Sequence, residues 1–282
     1  MKLARYGAAG AEKPALLDAD GQLRDLSAEV ADIDGAALSD GTLARLAALD
    51  PATLPQVDGD PRLGCPVADP RKIICIGLNY SDHAAEAGLP VPAEPIIFLK
   101  GCRASGPNDD IRLPKGSVKG DWEVELGIVI AKGGLYIAET DAMAHIAGFT
   151  VVNDVSERSY QMERSGQWTK GKSFPGFAPI GPWIVTPDEA GDPGDLGIWL
   201  KVNDTVFQNG STSTLIFSVP HIVHYVSQFF ALEPGDVIAT GTPPGVGMGI
   251  KPDPVYLKPG DEITLGIDGL GTQRQRVLAW EG

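Results

Sequence analysis

Residues 119–130 read KGDWEVELGIVI, and the fold follows from how that stretch is parsed. Asp121, Glu123 and Glu125 alternate with Trp122, Val124 and Leu126, and the apolar run LGIVIA carries on to Ala131. A strand sends successive side chains to opposite faces, so the alternation predicts three carboxylates stacked on one strand face. Carboxylates that close repel one another, and burying them unpaired costs stability. A solvated face with an apolar back is the ordinary meaning of such a pattern. Two features weigh against it. The acids abut a run that reads as buried on both faces, and Asp154 closes a second apolar strand in AGFTVVNDVSER. If those strands are neighbours, two or three carboxylates converge, and the simplest compensation is a bound cation. Oxygen donors without accompanying Cys or His select a hard ion such as Mg²⁺, Mn²⁺ or Ca²⁺.

Working outward, KIICIGL, EPIIFLK, GPWIVT, GIWLKVN, GDVIAT and DEITLGIDG read as further strands. Helix-like segments are few: YSDHAAEAGL, ETDAMAHIAG and TLIFSVPHIVHYVSQFFAL. Many strands with few helices between them argue against a parallel doubly wound sheet and for a predominantly β, α+β fold. Residues 1–68 differ in texture. LARYG and KPALLDADGQLRDL read as short strands around an Asp-Gly turn, and SDGTLARLAALD as a helix capped by Ser39 or Asp40 and stopped by Pro51. The Pro-, Asp- and Gly-rich stretch at 51–70 then marks a boundary, giving a small N-terminal α+β domain (1–68) and a main domain (69–282).

Composition narrows the function. The chain has 282 residues and a net charge of −14, with no basic run, which excludes a nucleic-acid partner. No apolar run is long enough to span a bilayer, and the N-terminus lacks a signal-peptide core. Cys65, Cys75 and Cys102 form an odd set without CxxC spacing, so free thiols in the cytoplasm are expected.

Four further constellations carry chemistry. In IGLNYSDHAAEAG, His83 and Glu86 sit three apart on one helix face, where the carboxylate can orient the imidazole as a base toward water; on spacing alone, an exposed histidine at a helix N-terminus with a casual ion-pair partner is the more ordinary meaning. In TKGKSFPGFAPIGP, Lys172 lies in a segment too broken by Gly and Pro for regular helix, and either contacts an anionic substrate or is solvated. The turn in IATGTPPGVGMG lacks a P-loop ending but offers backbone N–H groups and the Thr242 hydroxyl to a carboxylate. His221 and His224, in an amphipathic stretch, read as packing residues rather than metal ligands, and His145 is given no role.

Taken together and in order over residues 70–280, these segments resemble the fumarylacetoacetate hydrolase family. IGLNYSDHAAE resembles its catalytic histidine segment, DWEVELGIVI its E-x-E metal strand, and VVNDVSER the source of its third carboxylate. GKSFPGFAPIGP resembles its lysine segment and GDVIATGTPPGVG its threonine turn. The resemblance implies a mixed β-roll of layered sheets, a homodimer, and Glu123, Glu125 and Asp154 as ligands of Mg²⁺ or a similar ion. It implies His83 and Glu86 as the water-activating pair, and Lys172, Gln161, Gly241 and Thr242 as substrate and oxyanion contacts, with Asn79 and Tyr80 beside them. Asp121 is not a ligand in this mapping; it is expected to be solvated or to stand behind the ligands.

The family members that take fumarylacetoacetate have an extra aspartate ligand seven residues before the histidine; Ile76 stands there in this chain. The resemblance is therefore to the smaller three-carboxylate branch, whose bacterial members are often labelled ureidoglycolate lyase. It implies metal-dependent hydrolysis of a C–C bond in a β-diketo acid to pyruvate and a second acid. A 2,4-diketo-3-deoxy-sugar acid (rhamnonate- or fuconate-like) is the expected substrate. Acylpyruvate or fumarylpyruvate hydrolysis is the runner-up, and oxaloacetate decarboxylation or tautomerisation uses the same chemistry. A Ca²⁺-stabilised binding module is the non-enzymatic alternative, which would have no need of the His83–Glu86 pair.

Overall fold

The computed structural model describes residues 1–281. The β-branched and apolar runs become strands that sort into a nine-stranded sheet, a five-stranded sheet and one two-stranded pair. In the large sheet the order is Leu23–Asp25, Lys13–Leu17, Lys2–Tyr6, Ile180–Val185, Ile146–Asn153, Val124–Ile130, Val237–Ala239, Ile73–Gly77 and Ile96–Leu99. Among the described residues its only parallel neighbours are Val237–Ala239 and Ile73–Gly77. The second sheet runs Thr205–Ser211, Gly197–Val202, Glu262–Ile267, Gly271–Leu278 and Ile111–Arg112. This is the mostly-sheet α+β class that the strand count predicted, with the layered mixed sheets that the family resemblance implied. No helix among the described residues is long and apolar enough to cross a membrane.

Period-2 alternation explains why Val124–Ile130 is buried throughout. Leu126, Ile128 and Ile130 pack with Ile198, Leu200 and Leu265 between the two sheets. Val129, on the opposite face, packs with Ile73, Val152, Val237 and the N-terminal Leu3, Leu16 and Leu38. Each such side chain contributes about 1.5–3 kcal/mol when fully buried, which offsets the cost of holding acids on the same strand.

The first three strands extend the edge of the large sheet: Leu3 pairs with Ile184, and Ala4 with Ala15. Residues 1–68 therefore share a sheet and an apolar layer with the rest of the chain. The helix there spans Asp40–Ala47 with Ser39 as N-cap. Two other helical expectations shorten. ETDAMAHIAG forms a 3₁₀ helix over Glu139–His145, because Ile146 already belongs to the next strand. In the 214–232 stretch only Val219–Val226 is α-helical, capped by the Ser218 hydroxyl accepting from His221 N.

Candidate active site

Strand register assembles the acids. Glu125 lies opposite Val152 and Val124 opposite Asn153, so one more step places Glu123 beside Asp154. Asp154 N donates to Glu123 O at 2.9 Å, which closes that step. Glu123, Glu125 and Asp154 thus share one face at the frayed end of two central strands. One oxygen from each lies within 4.8 Å of the others, and all three side chains are buried.

Their partners are unequal. Lys172 Nζ donates to Glu123 Oε2 at 2.6 Å and to Asp154 Oδ2 at 2.8 Å. Lys100, also fully buried, donates to the other Asp154 oxygen and to Val155 O. Arg158 Nη2 lies 2.7 Å from Glu123 Oε1, an ion-pair contact outside hydrogen-bonding alignment. Glu125 accepts from Gly241 N at 2.8 Å and, among the described residues, meets no cationic side chain.

The proton affinities follow these contacts. Burial would raise Glu123, but Lys172 and Arg158 overcome it and hold its carboxyl far below the usual range. Burial, with Asp154 and Glu123 alongside, pushes Glu125 well above it. Burial works against the Lys172 ammonium, yet Asp154 and Glu123 outweigh it and raise its pKa.

This donor set fits a hard divalent cation. Opposite oxygens around such an ion stand about 4–5 Å apart, twice a metal–oxygen distance of about 2.0–2.6 Å, and the three-carboxylate spread lies within that span. Glu125, the acid left without a cation, is the group such an ion would compensate.

Helix Ser81–Ala87 carries the second constellation. His83 Nδ1 meets Glu86 Oε2 at 3.1 Å, and Glu86 in turn accepts from Gly245 N at 3.1 Å. An Nδ1 proton given to Glu86 leaves Nε2 free to accept one. His83, Glu86, Glu123, Glu125, Arg158 and Lys172 all line one cavity of about 330 Å³. Its remaining wall is largely apolar, including Leu89, Ile96, Phe98, Met162, Trp168 and Met248.

The other expected contacts are placed as follows. Gln161 lines the cavity and accepts from Arg158 Nη1 at 2.9 Å. Thr242 lines it too, but its hydroxyl donates to Val124 O at 2.8 Å and accepts from Gln208 Nε2 at 2.7 Å. Gly241 spends its N–H on Glu125, at φ +99 with no room for a Cβ beside Asn79 and Ile76. Asn79 is buried and spliced into the backbone, donating to Thr240 O at 2.8 Å and accepting from Phe217 N at 2.8 Å. Tyr80 is buried, and its hydroxyl makes no hydrogen bond among the described residues. His221 stacks on Phe217 and Tyr225 and pairs with Glu139.

Two expectations are corrected. Lys172 ends a short helical turn, Thr169–Lys172, and is buried, because two carboxylates compensate its charge. Of the two places expected for Asp121, the solvated one is corrected and the one behind the acids holds: it is fully buried and paired with Arg158, which also meets Glu123. It does not continue the Glu123–Glu125 strand, since Gly120–Asp121 pairs separately with Ser156–Glu157. Sequence reading passed over Lys100 and Arg158. Lys100 ends the apolar run EPIIFLK, and Arg158 ends NDVSER, so a lone cation closing a strand segment was the available signal.

Comparison with known proteins identifies the family. The family model described as Fumarylacetoacetate (FAA) hydrolase C-terminal matches residues 72–278. A Burkholderia multivorans protein, named only as a presumed hydrolase, is 60% identical over 280 residues, covering 99% of both chains. Fumarylacetoacetate hydrolase from psychrophilic Exiguobacterium antarcticum superposes with a TM-score of 0.86 at 35% identity, covering 99% of this chain and 100% of that one. Maleylpyruvate hydrolase from Sphingobium sp. SYK-6, solved with manganese (II) and pyruvate, gives 0.82 at 29% identity, with both chains fully covered. With the family match over most of its length, the chain belongs to the fumarylacetoacetate hydrolase family.

Proposed function

We propose that this protein hydrolyses a C–C bond in a β-diketo acid, releasing pyruvate and a second carboxylic acid. The observation that carries the reading is one cavity lined by Glu123 and Glu125 of the carboxylate triad and by the His83–Glu86 pair, with Asp154 buried beside the two glutamates. Glu123, Glu125 and Asp154 would hold a divalent ion, Mg²⁺ or Mn²⁺, which when bound supplies positive charge to the 2-keto acid end. His83 Nε2 accepts a proton from water while Glu86 fixes the imidazole through Nδ1. The resulting hydroxide adds to the distal carbonyl carbon. The C–C bond then breaks, its electron pair passes to the carbon that becomes the pyruvate methyl, and a proton completes it. Lys172 and Arg158 place two positive charges on the cavity wall where negative charge develops.

The apolar wall bears on the substrate. A polyhydroxylated sugar acid needs a hydrogen-bond partner for each hydroxyl, whereas Phe98, Met162, Trp168 and Met248 provide none beyond the indole N–H. Outside the charged centre, Gln161 and Lys251 are the polar side chains of that wall not already engaged as Thr242 is. This favours an acylpyruvate with an apolar acyl group over the diketo-sugar acid. The test is loss of ultraviolet absorbance from acetylpyruvate, fumarylpyruvate and a diketo-deoxy-sugar acid, with Mg²⁺, with Mn²⁺ and with EDTA. We expect cation-dependent cleavage, fastest on an acylpyruvate. Turnover that survives EDTA, or isomerisation without pyruvate release, overturns the reading.

A further inference from the structure

Asp121 is the acid of the opening alternation that the carboxylate site leaves without a task. We infer that it is a positioning residue, fastening the 245–249 loop so that the carboxylate centre and the His83–Glu86 pair are set in one frame. The inference rests on the hydrolase reading above.

The Asp121 carboxylate, fully buried, accepts four hydrogen bonds. Oδ1 takes Trp122 N at 2.8 Å and Gly247 N at 2.7 Å; Oδ2 takes Met248 N at 3.0 Å and Arg158 Nε at 2.8 Å. On one side Arg158 continues to Glu123, at 2.7 Å. On the other, Gly245 N holds Glu86 at 3.1 Å, and Glu86 holds His83 at 3.1 Å. Only Val246 separates the glycine that Glu86 grips from the glycine that Asp121 grips, so the loop cannot move at one and stay at the other. Val246, Met248 and Gly249 line the cavity themselves. The backbone is pressed close at both points. A Cβ on Gly245 would collide with Phe207 O, and one on Gly247 with Val255 O while standing 2.7 Å from Asp121 Oδ1. Charge-assisted bonds from a buried acid to a cavity-lining loop act on the loop's position, since a buried acid contributes little net stability of its own.

The variant Asp121→Asn keeps the shape but turns one acceptor oxygen into a donor facing an N–H. On the full-length protein with acetylpyruvate and Mn²⁺, we expect kcat to fall tenfold or more, with KM and the Mn²⁺ Kd within about threefold of wild type. Glu86→Gln should cost far less in the Asp121→Asn background than in wild type, because both changes loosen one unit. Amides at 245–248 should exchange hydrogen faster. Gly247→Ala, which displaces the loop from Val255 O and Asp121 Oδ1 while keeping the Asp121 carboxylate, should reproduce the kcat loss and serves if Asp121→Asn fails to fold. A loss that appears in Mn²⁺ affinity and disappears at saturating Mn²⁺ overturns the proposal, because Asp121 would then serve only Glu123. Independent, multiplying effects of Asp121→Asn and Glu86→Gln overturn it as well. Full turnover by Glu86→Gln alone would instead remove the proton-transfer pair from the hydrolase reading. Hydrogen exchange then decides the hold on the loop by itself, and unchanged exchange at 245–248 sinks it.

Discussion

Glu125→Gln isolates the electrostatics of the triad. Glu125 is buried, touches no cationic side chain among the described residues, and is pushed well above its usual pKa by burial, Asp154 and Glu123. A raised folded pKa means that the carboxyl costs nothing below the unfolded value of about 4.3 and that stability is lost as pH rises toward the folded one. The glutamine keeps an oxygen for Gly241 N–H and removes the charge. Cation-free Glu125→Gln should therefore melt at or above wild type at pH 7.5, with the gap closing near pH 4.5. Cation binding reverses the order. At a hundred times Kd, a ligand adds about 2.7 kcal/mol. About 2.1 cal/mol/K per residue over 282 residues gives an unfolding entropy of about 0.6 kcal/mol/K. Wild type should thus gain about 4–5 °C from saturating Mn²⁺, and Glu125→Gln should gain less than 1 °C. Thermal melts with Mn²⁺ and with EDTA at both pH values measure this. A variant that keeps more than half of the cation shift, or that melts about 3 °C below wild type without cation at pH 7.5, refutes the reasoning.

Two further outcomes separate the roles of neighbouring groups. His83→Asn should lose at least a hundredfold in kcat, at the lower end of what general-base catalysis contributes, while keeping the full Mn²⁺ melting shift; steady-state kinetics and melts on the same preparation check it. Lys172→Met leaves Glu123 and Asp154 without their shared ammonium, and breaking such a buried pair costs about 3–5 kcal/mol. Without cation it should melt about 5–8 °C low, and its Mn²⁺ shift should exceed that of wild type while turnover falls; an Mn²⁺ shift no larger than wild type would count against competition between that ammonium and the ion.

The residues legible in the sequence are those whose meaning is local. Period-2 alternation in DWEVELGIVI placed Glu123 and Glu125 on one face, and i, i+3 spacing joined His83 to Glu86. Asp154 could be added because it closes another apolar strand, although its place beside Glu123 depends on the register of Val124–Ile130 against Ile146–Asn153. What only the tertiary structure decided is how the charges are shared. Lys100 reaches Asp154 from 54 residues away, and Arg158 reaches Asp121 from 37. Neither distance leaves a periodic trace in the chain. The same alternation that put Glu123 and Glu125 on one face misled for Asp121, because the ladder breaks at Trp122 and Glu123 and hands that acid to a different strand pair and to the 245–249 loop. Side-chain direction along a strand is a property of the local backbone. The partner that compensates a buried charge is set by which distant segments the fold brings within hydrogen-bonding reach.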